Sequence, residues 1–349
     1  MTTHRFKLGL AIRQRVGTIT AGAIFALLYL AYHVHHPNGF TAQVVGQNAN
    51  ESVALVLAAM AQTVPVLIGG IDLSVGAVMT MTNCLASHVL SGNAQEVSLG
   101  LAACILVSTA FGVMNGVIVV YGRIQPIIAT LATSAIALGL ALLLRPFPGG
   151  EISETLSLLL TGSLLDSLVE SGLVSQGVTD NLSVLGNLPT PMLLVFAAGA
   201  LWIPFQRTVT GRSIVAVGSS ETAAFMSGLP VPRAKIAAFA VSGMLAGCAG
   251  VFLAMQTLSG NADLPQAGTY TLASIAAVVI GGAVLTGGVG GMLGSVFGAL
   301  ILRVIAFNFR IFEIEPLIQP LVEGTILLAA ISVSATRLLR VKNRLDLYR

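Results

Sequence analysis

The chain has 349 residues, 55% of them hydrophobic and only 9% charged, with a net charge of +3 and a mean hydropathy of +0.90. A soluble domain carries about 25% charged residues, so a water-facing globule is excluded, and the small positive charge does not mark a nucleic-acid surface. Apolar runs near bilayer length, about 20 residues, recur throughout. The alternating segments of about 10 residues that build a membrane β-barrel are absent. The expected fold class is an all-α polytopic membrane protein, a single transmembrane domain over 1–349.

The basic residues cluster. Arg5, Lys7, Arg13 and Arg15 precede the first apolar run. Arg207, Arg212, Arg233 and Lys235 bracket a middle loop, and Arg337, Arg340, Lys342, Arg344 and Arg349 follow the last run. Residues 146–189 instead carry Glu151, Glu154, Asp166, Glu170 and Asp180 with no base. The positive-inside rule then assigns both ends of the chain (1–16 and 337–349) and the 207–234 loop to the cytoplasm, and 146–189 to the outside.

The first apolar run, 17–34, follows a basic segment as a signal peptide would, but lacks a small-x-small cleavage site and reads as a retained span. His33, His35 and His36 close it, as interface anchors in preference to metal ligands. Further spans are expected over 48–68, 73–90, 98–120, 126–144, 190–206, 235–256, 271–286, 291–309 and 317–336. Ten crossings return the tail to the cytoplasm and put the Arg123 loop inside and Phe312–Glu315 outside. Cys84, Cys104 and Cys248 all fall in apolar runs, as small hydrophobes and not as a disulfide or metal framework.

Between the second and third spans stands "LIGGIDLSVGAV" (67–78). A charge in the bilayer is costly, roughly 2.5–3.5 kcal/mol on insertion scales, so Asp72 needs a reason. Gly69 and Gly70 interrupt the helix. Asp72 then stands where an N-cap would, able to accept from the free N–H of Ser74 or Val75. Two readings follow: a cap closing a helix break, or a polar group on a transport path. Gln62, Thr63, Asn83, Asn115, Gln125, Thr130 and Thr133 are the other polar residues in apolar surroundings. Each suits an interhelical hydrogen bond; Gln62, Asn83, Asn115, Gln125 and Thr130 are also candidates for lining a path.

The outer stretch Ser153–Gly172 spaces leucines like a helix but is too polar to span, and reads as an interfacial amphipathic helix or a docking surface. In the middle loop, "GSSETAAFMSGLPVPR" (218–233) signals a short helix. Ser219 or Ser220 caps it, Glu221 suits its first turn, and Thr222, Ala223, Ala224, Phe225, Met226 and Ser227 form its body. Gly228 stops it, with Pro230 and Pro232 beyond. Phe225 and Met226 facing the cytoplasm suit either a membrane surface or a groove in a cytoplasmic subunit.

Two internal echoes point to an inverted repeat, a common transporter architecture. "VLIGGIDLSVG" (66–76) resembles "VVIGGAVLTGG" (278–288), and Ile124-Gln125-Pro126 recurs as Ile318-Gln319-Pro320. The small residues of "GGVGGMLGSVFGA" (287–299) permit close helix approach. No G-x-x-x-x-G-K-[ST] loop, H-E-x-x-H or G-x-S-x-G motif occurs, so enzyme readings have no anchor.

"GGIDLSVGAVM" (69–79), "MNGVIV" (114–119), "RIQPIIATLAT" (123–133), "TGRSIVAVGSSETAAFMSGLPV" (210–231) and "ASIAAVVIGGAVLTGGVGGMLGSVFGALI" (273–301) closely resemble the permeases of bacterial monosaccharide ABC importers of the ribose, galactose and arabinose type. The likeness runs from about 45 to 335, and the Gly-Gly-Ile-Asp-Leu-Ser motif distinguishes it from the related branched-chain amino-acid permeases. The resemblance implies a type II-like importer permease in the bacterial inner membrane. It implies a dimer with a second copy or a paralogue, bound to cytoplasmic ABC ATPase subunits that hold the Mg-ATP, and fed by a periplasmic sugar-binding protein. It makes 219–228 the coupling helix. The 146–189 loop is longer than the family's usual one. The competing readings are an amino-acid permease of the same fold and an ion-driven secondary transporter, for which Asp72 and Glu323 are the plausible intramembrane carboxylates.

Overall fold

The computed structural model describes residues 2–163 and 189–315 and isolated positions between 318 and 332, with side chains from Val16 onward. Within them the regular structure is helical, apart from two isolated β-bridges. The helices are α1 (Thr2–His35), α2 (Ala42–Leu67), α3 (Val75–Val89), α4 (Ala94–Tyr121), α5 (Pro126–Leu144), α6 (Glu154–Thr161), α7 (Thr190–Arg207), α8 (Val209–Ser219), α9 (Glu221–Met226), α10 (Val231–Thr257), α11 (Leu264–Ile280) and α12 (Met292–Ile311). Six of them, α1, α2, α4, α5, α10 and α12, are each long and apolar enough to cross a membrane. The expected tenth span, 317–336, lies largely outside the described residues.

Local chemistry sets the boundaries. Thr41 starts α2 by accepting from the Val44 N–H, and Asn93 starts α4 with a full capping box to Glu96. Pro126 occupies the first position of α5, where its missing N–H costs nothing. Asp263 accepts from the Gln266 N–H, with Pro265 in the first turn, so α11 begins at Leu264 and ends at Ile280, with Gly281 as its cap. The hydropathy-based span of 271–286 is corrected accordingly. It followed the longest apolar run and missed the cap; its last six residues are a glycine-rich connection. The third span, 73–90, shortens to the 15 residues of α3. The outer amphipathic helix is the eight residues of α6; positions 164–172 of that expectation lie outside the described residues.

Helices α2 and α10 pack against each other at the centre, and most of both is buried. α3 and α4 lie against α10, and α11 and α12 against α2. α1 covers α12, and α5 covers α3. The contact between α4 and α10 is close because Gly112 and Gly243 face each other. A Cβ on Gly243 would stand 2.9 Å from the Gly112 Cα, the small-residue packing that lipid-embedded helices use.

The connections sort onto two ends. At one end, Gly69 abuts Thr286, Gly70 abuts Pro126, and Gly17 abuts Gly282. Five of the described bases, Arg123, Arg207, Arg212, Arg233 and Lys235, stand in or beside the connections there, while Arg145 and Arg310 stand at the other end. At the other end, Gly149 pairs with Gly260 through two backbone hydrogen bonds, and the Ser153 N–H donates to the Leu90 carbonyl. Arg310 pairs with Glu51, and Glu96, Glu151, Glu154, Asp263, Glu313 and Glu315 stand in or beside these connections. We call them the basic and the acidic end. α7 reaches the basic end and turns 81° into α8 at Thr208.

The two sequence echoes do not register one duplication. Two helices, α3 and α4, separate the Ile-Gly-Gly and Ile-Gln-Pro motifs in the first half, and one, α12, in the second. The histidines also differ in setting. His33 is buried against Tyr29, Tyr32 and Phe40, with a ring nitrogen 3.1 Å from the Gly39 carbonyl oxygen, while His35 is exposed.

Candidate functional site

The helix break at 68–74 carries the most concentrated buried polar chemistry described in the chain. Gly69 adopts a φ of +76°, a left-handed conformation that glycine enters at no steric cost. The chain then runs without regular structure through Gly70 to Asp72 and turns over Leu73 and Ser74 before α3 begins at Val75.

Asp72 is 2% exposed, and its carboxylate is satisfied from within the protein. One oxygen accepts from the Ser74 N–H at 2.9 Å and the Ser74 hydroxyl at 2.6 Å. The other accepts from the Ser242 hydroxyl of α10 at 2.8 Å. Asn115 of α4 donates to the Ser74 hydroxyl oxygen at 2.8 Å. Gln62 of α2, its amide orientation assigned by the hydrogen-bond network, donates to the Asp72 carbonyl at 2.8 Å and accepts from the Asp72 N–H at 3.2 Å. Such charge-assisted bonds are what make a buried carboxylate tolerable.

Asp72 accepts from Ser74 as expected, and what needs correction is the helix boundary. It does not accept from Val75, and Ser74 is the residue flanking the helix, without a side-chain cap bond of its own. The free N–H groups at the start of α3 find partners on other helices instead. Leu73 donates to the Thr130 hydroxyl oxygen of α5 at 2.9 Å, and Gly76 to that of Thr271 on α11 at 3.1 Å. A helix start that has no water to turn to must be closed this way.

Three of the five pathway candidates, Gln62, Asn115 and Thr130, therefore meet around Asp72. The other two do not. Asn83 sits near the acidic end, where its side-chain oxygen accepts from the Asn261 N–H at 2.8 Å. Gln125 is exposed just before α5. Thr63 pairs with Ser295 at 2.7 Å, and the Thr133 hydroxyl donates to the Thr130 carbonyl. Sequence reasoning missed Ser242 and Thr271. Each is a lone hydroxyl in an apolar helix, and such residues usually satisfy themselves on their own backbone.

Gln62 lies five residues from the end of α2, about 8 Å at 1.5 Å per residue, and Asn115 about 9 Å from the end of α4. The node is thus set inside the basic end, short of the middle of these helices. Both carboxylate oxygens of Asp72 are bonded within the protein and the side chain is buried, so a solute does not reach it in this conformation.

The node is joined to the basic surface by backbone contact. The Gly288 N–H donates to the Leu67 carbonyl at 3.0 Å. A Cβ on Gly218, at the end of α8, would fall 1.7 Å from that same carbonyl oxygen and 2.6 Å from the Gly288 nitrogen. One residue separates α8 from α9. Ser220 caps α9 by accepting from the Ala223 N–H at 3.3 Å, and Gly228 ends it with a φ of +74°. Glu221 pairs with Lys235 at 2.7 Å, tying α9 to the start of α10. Phe225 and Met226 are 67% and 79% exposed on the basic surface. The expected short helix with its apolar face outward is therefore present.

The permease family described as "Branched-chain amino acid transport system / permease component" matches residues 45–331. The chain belongs to this family. It is 30% identical to the ribose import permease protein of Escherichia coli (strain K12), over 89% of this chain and 92% of that one. It is 30% identical to the fructose import permease protein of Bifidobacterium longum, over 83% and 82%. It is 31% identical to the L-arabinose ABC transporter permease protein of Azospirillum brasilense, over 76% and 71%. No solved structure matches the chain. The sequence therefore places it among multi-pass permease subunits, not among enzymes, consistent with the absence of a nucleotide-hydrolysis motif.

Proposed function

We propose that this chain is the permease subunit of an ATP-driven importer that carries a monosaccharide or polyol across the bacterial inner membrane. The observation that carries the reading is the similarity, over most of the chain, to permeases named for ribose, fructose and arabinose. The family's amino-acid name is the weaker guide, because those relatives are sugar permeases. ATP binding and hydrolysis, with its Mg-ATP, reside on a cytoplasmic partner. The solute arrives from a periplasmic binding protein, and a second permease copy or a paralogue completes the assembly.

The proposed topology has ten crossings with both ends of the chain in the cytoplasm. The segregation of described charges supports it, since the basic end would face the cytoplasm. An inverted repeat is supported by the packing. Exchange α2 with α10, α3 with α11 and α4 with α12, and the neighbours map onto themselves: α2 on α11 and α12 becomes α10 on α3 and α4. The Ile-Gln-Pro echo fits that exchange, at the starts of α5 and of 317–336. In this reading α9 is the coupling helix, and Phe225 and Met226 seat in a groove of the ATPase. Its movement reaches the Asp72 node through α8 and Gly218. Asp72 shapes the permease and does not touch the solute.

Reconstituted uptake tests the proposal. The expected result is uptake of a monosaccharide that needs the ATPase, ATP and the binding protein. Uptake driven by an ion gradient with this chain alone, or uptake confined to branched-chain amino acids, overturns it.

A further inference from the structure

A cavity of about 510 Å³ lies between α7 on one side and α4 and α10 on the other, with every lining side chain apolar. None of the residues of the Asp72 node reaches it, and it offers nothing to a hydroxyl-rich solute. It runs from Trp202, Phe205 and Val241 toward the basic end to Leu160, Leu194 and Met255 toward the acidic end. From Leu194 to Phe205 α7 rises about 17 Å. Half of a hydrocarbon core of about 30 Å, the reach of one leaflet, is about 15 Å.

Two observations say what fills it. The same helices present Leu99, Leu106, Phe196 and Leu201 on the exposed surface, so the slot is continuous with the apolar exterior that the bilayer covers. At its basic end stands Trp202, the chain's single tryptophan. It is 7% exposed, yet its indole N–H has no hydrogen-bond partner. The ring of Trp202 lines the slot, while the N–H itself is sealed within the protein. Trp202 lies five residues before Arg207, at the level where tryptophans meet the membrane–water interface. An occupant must therefore be an apolar tail that enters from the bilayer.

We propose that this slot is a phospholipid site. One acyl chain of the leaflet at the basic end lies between α7 and α10, against the ring of Trp202.

Because the indole is unique, its fluorescence reads the site directly. The full-length protein is reconstituted into vesicles of phosphatidylcholine with or without dibrominated acyl chains. Trp202 emission is expected to fall severalfold in the brominated vesicles. Ala198→Leu, filling the slot from α7, and Cys248→Leu, filling it from α10, are expected to restore most of the emission. Two variants are used because one may pack poorly; thermal unfolding identifies the folded one. Unquenched emission from the wild-type protein overturns the proposal, because another part of the protein or a second copy then seals the slot. Equal quenching in the wild-type protein and the folded filling variants also overturns it, since bromine then reaches the indole from outside the slot.

Discussion

The two ends of the molecule are built on different principles. At the acidic end, connections are stitched by directed hydrogen bonds. Gly149 and Gly260 exchange two backbone bonds, Arg145 donates to the Ser87 hydroxyl at 3.0 Å and to the Ser87 carbonyl at 3.2 Å, and Ser157 donates to the Met255 carbonyl at 2.7 Å. At the basic end, the three turns at Gly69, Gly218 and Gly287–Gly288 meet largely backbone against backbone, with one hydrogen bond from Gly288 to Leu67. Stitched loops hold one arrangement. Glycine surfaces in van der Waals contact fix distance but can slide. The polar node that secures the break lies one layer deeper, within reach of whatever moves α8.

Breaking the node should have the largest effect on stability. Asp72→Ala leaves the Ser74 and Ser242 donors facing an apolar gap and is expected to cost about 3 kcal/mol, the upper range for bonds to a charged group. Asp72→Asn should cost less, because one acceptor oxygen survives. Denaturant or thermal unfolding in detergent separates the two, and equal losses would mean that charge, not acceptor geometry, is what the node needs. Gly218→Ala comes next. Its new methyl meets backbone that cannot step aside, and overpacking of this kind costs about 1–3 kcal/mol. Loss of uptake beyond the loss of folded protein would mark the junction as a moving part. At the stitched end, Asn83→Ala removes the acceptor for the Asn261 N–H and is expected to cost about 1 kcal/mol, with uptake per folded molecule close to normal. A large uptake defect there would erase the contrast between the ends. Phe225→Asp should leave stability unchanged, since the ring is exposed, while abolishing stimulation of the partner ATPase by the loaded binding protein. Full stimulation in that variant would remove α9 from its coupling role.

Much of this was readable in the chain, for a physical reason. In lipid-length apolar sequence a polar side chain is costly, so Gln62, Asp72, Asn115 and Thr130 stood out, and the fold brings all four together. The short helix at 221–226 was equally legible, because Ser220, Glu221 and Gly228 are local signals that need no tertiary partner. Three things were not legible. Ser242 and Thr271 complete the node, but a hydroxyl in an apolar helix is unremarkable until its neighbour is known. The start of α11 was signalled by Asp263 and Pro265 and hidden by a stronger hydropathy signal further on. Helix α3, with 15 residues, begins inside the bundle because other helices close its first turn. The Ile-Gly-Gly echo suggested a repeat whose register the helix order does not bear out. What it marked was contact, since loops 68–74 and 281–291 pack against each other.

The bonds of Asp72 also set an order of assembly. Its carboxylate is completed by Ser242, which follows it by 170 positions, and the start of α3 by Thr271, which comes later still. While the first five helices enter the membrane, the aspartate has only Ser74 for the oxygens it will share, and the Gly76 N–H has no Thr271. A nascent chain stopped after α5 thus leaves one Asp72 oxygen without the partner it has in the complete fold. The second half of the chain supplies that partner and the one for Gly76.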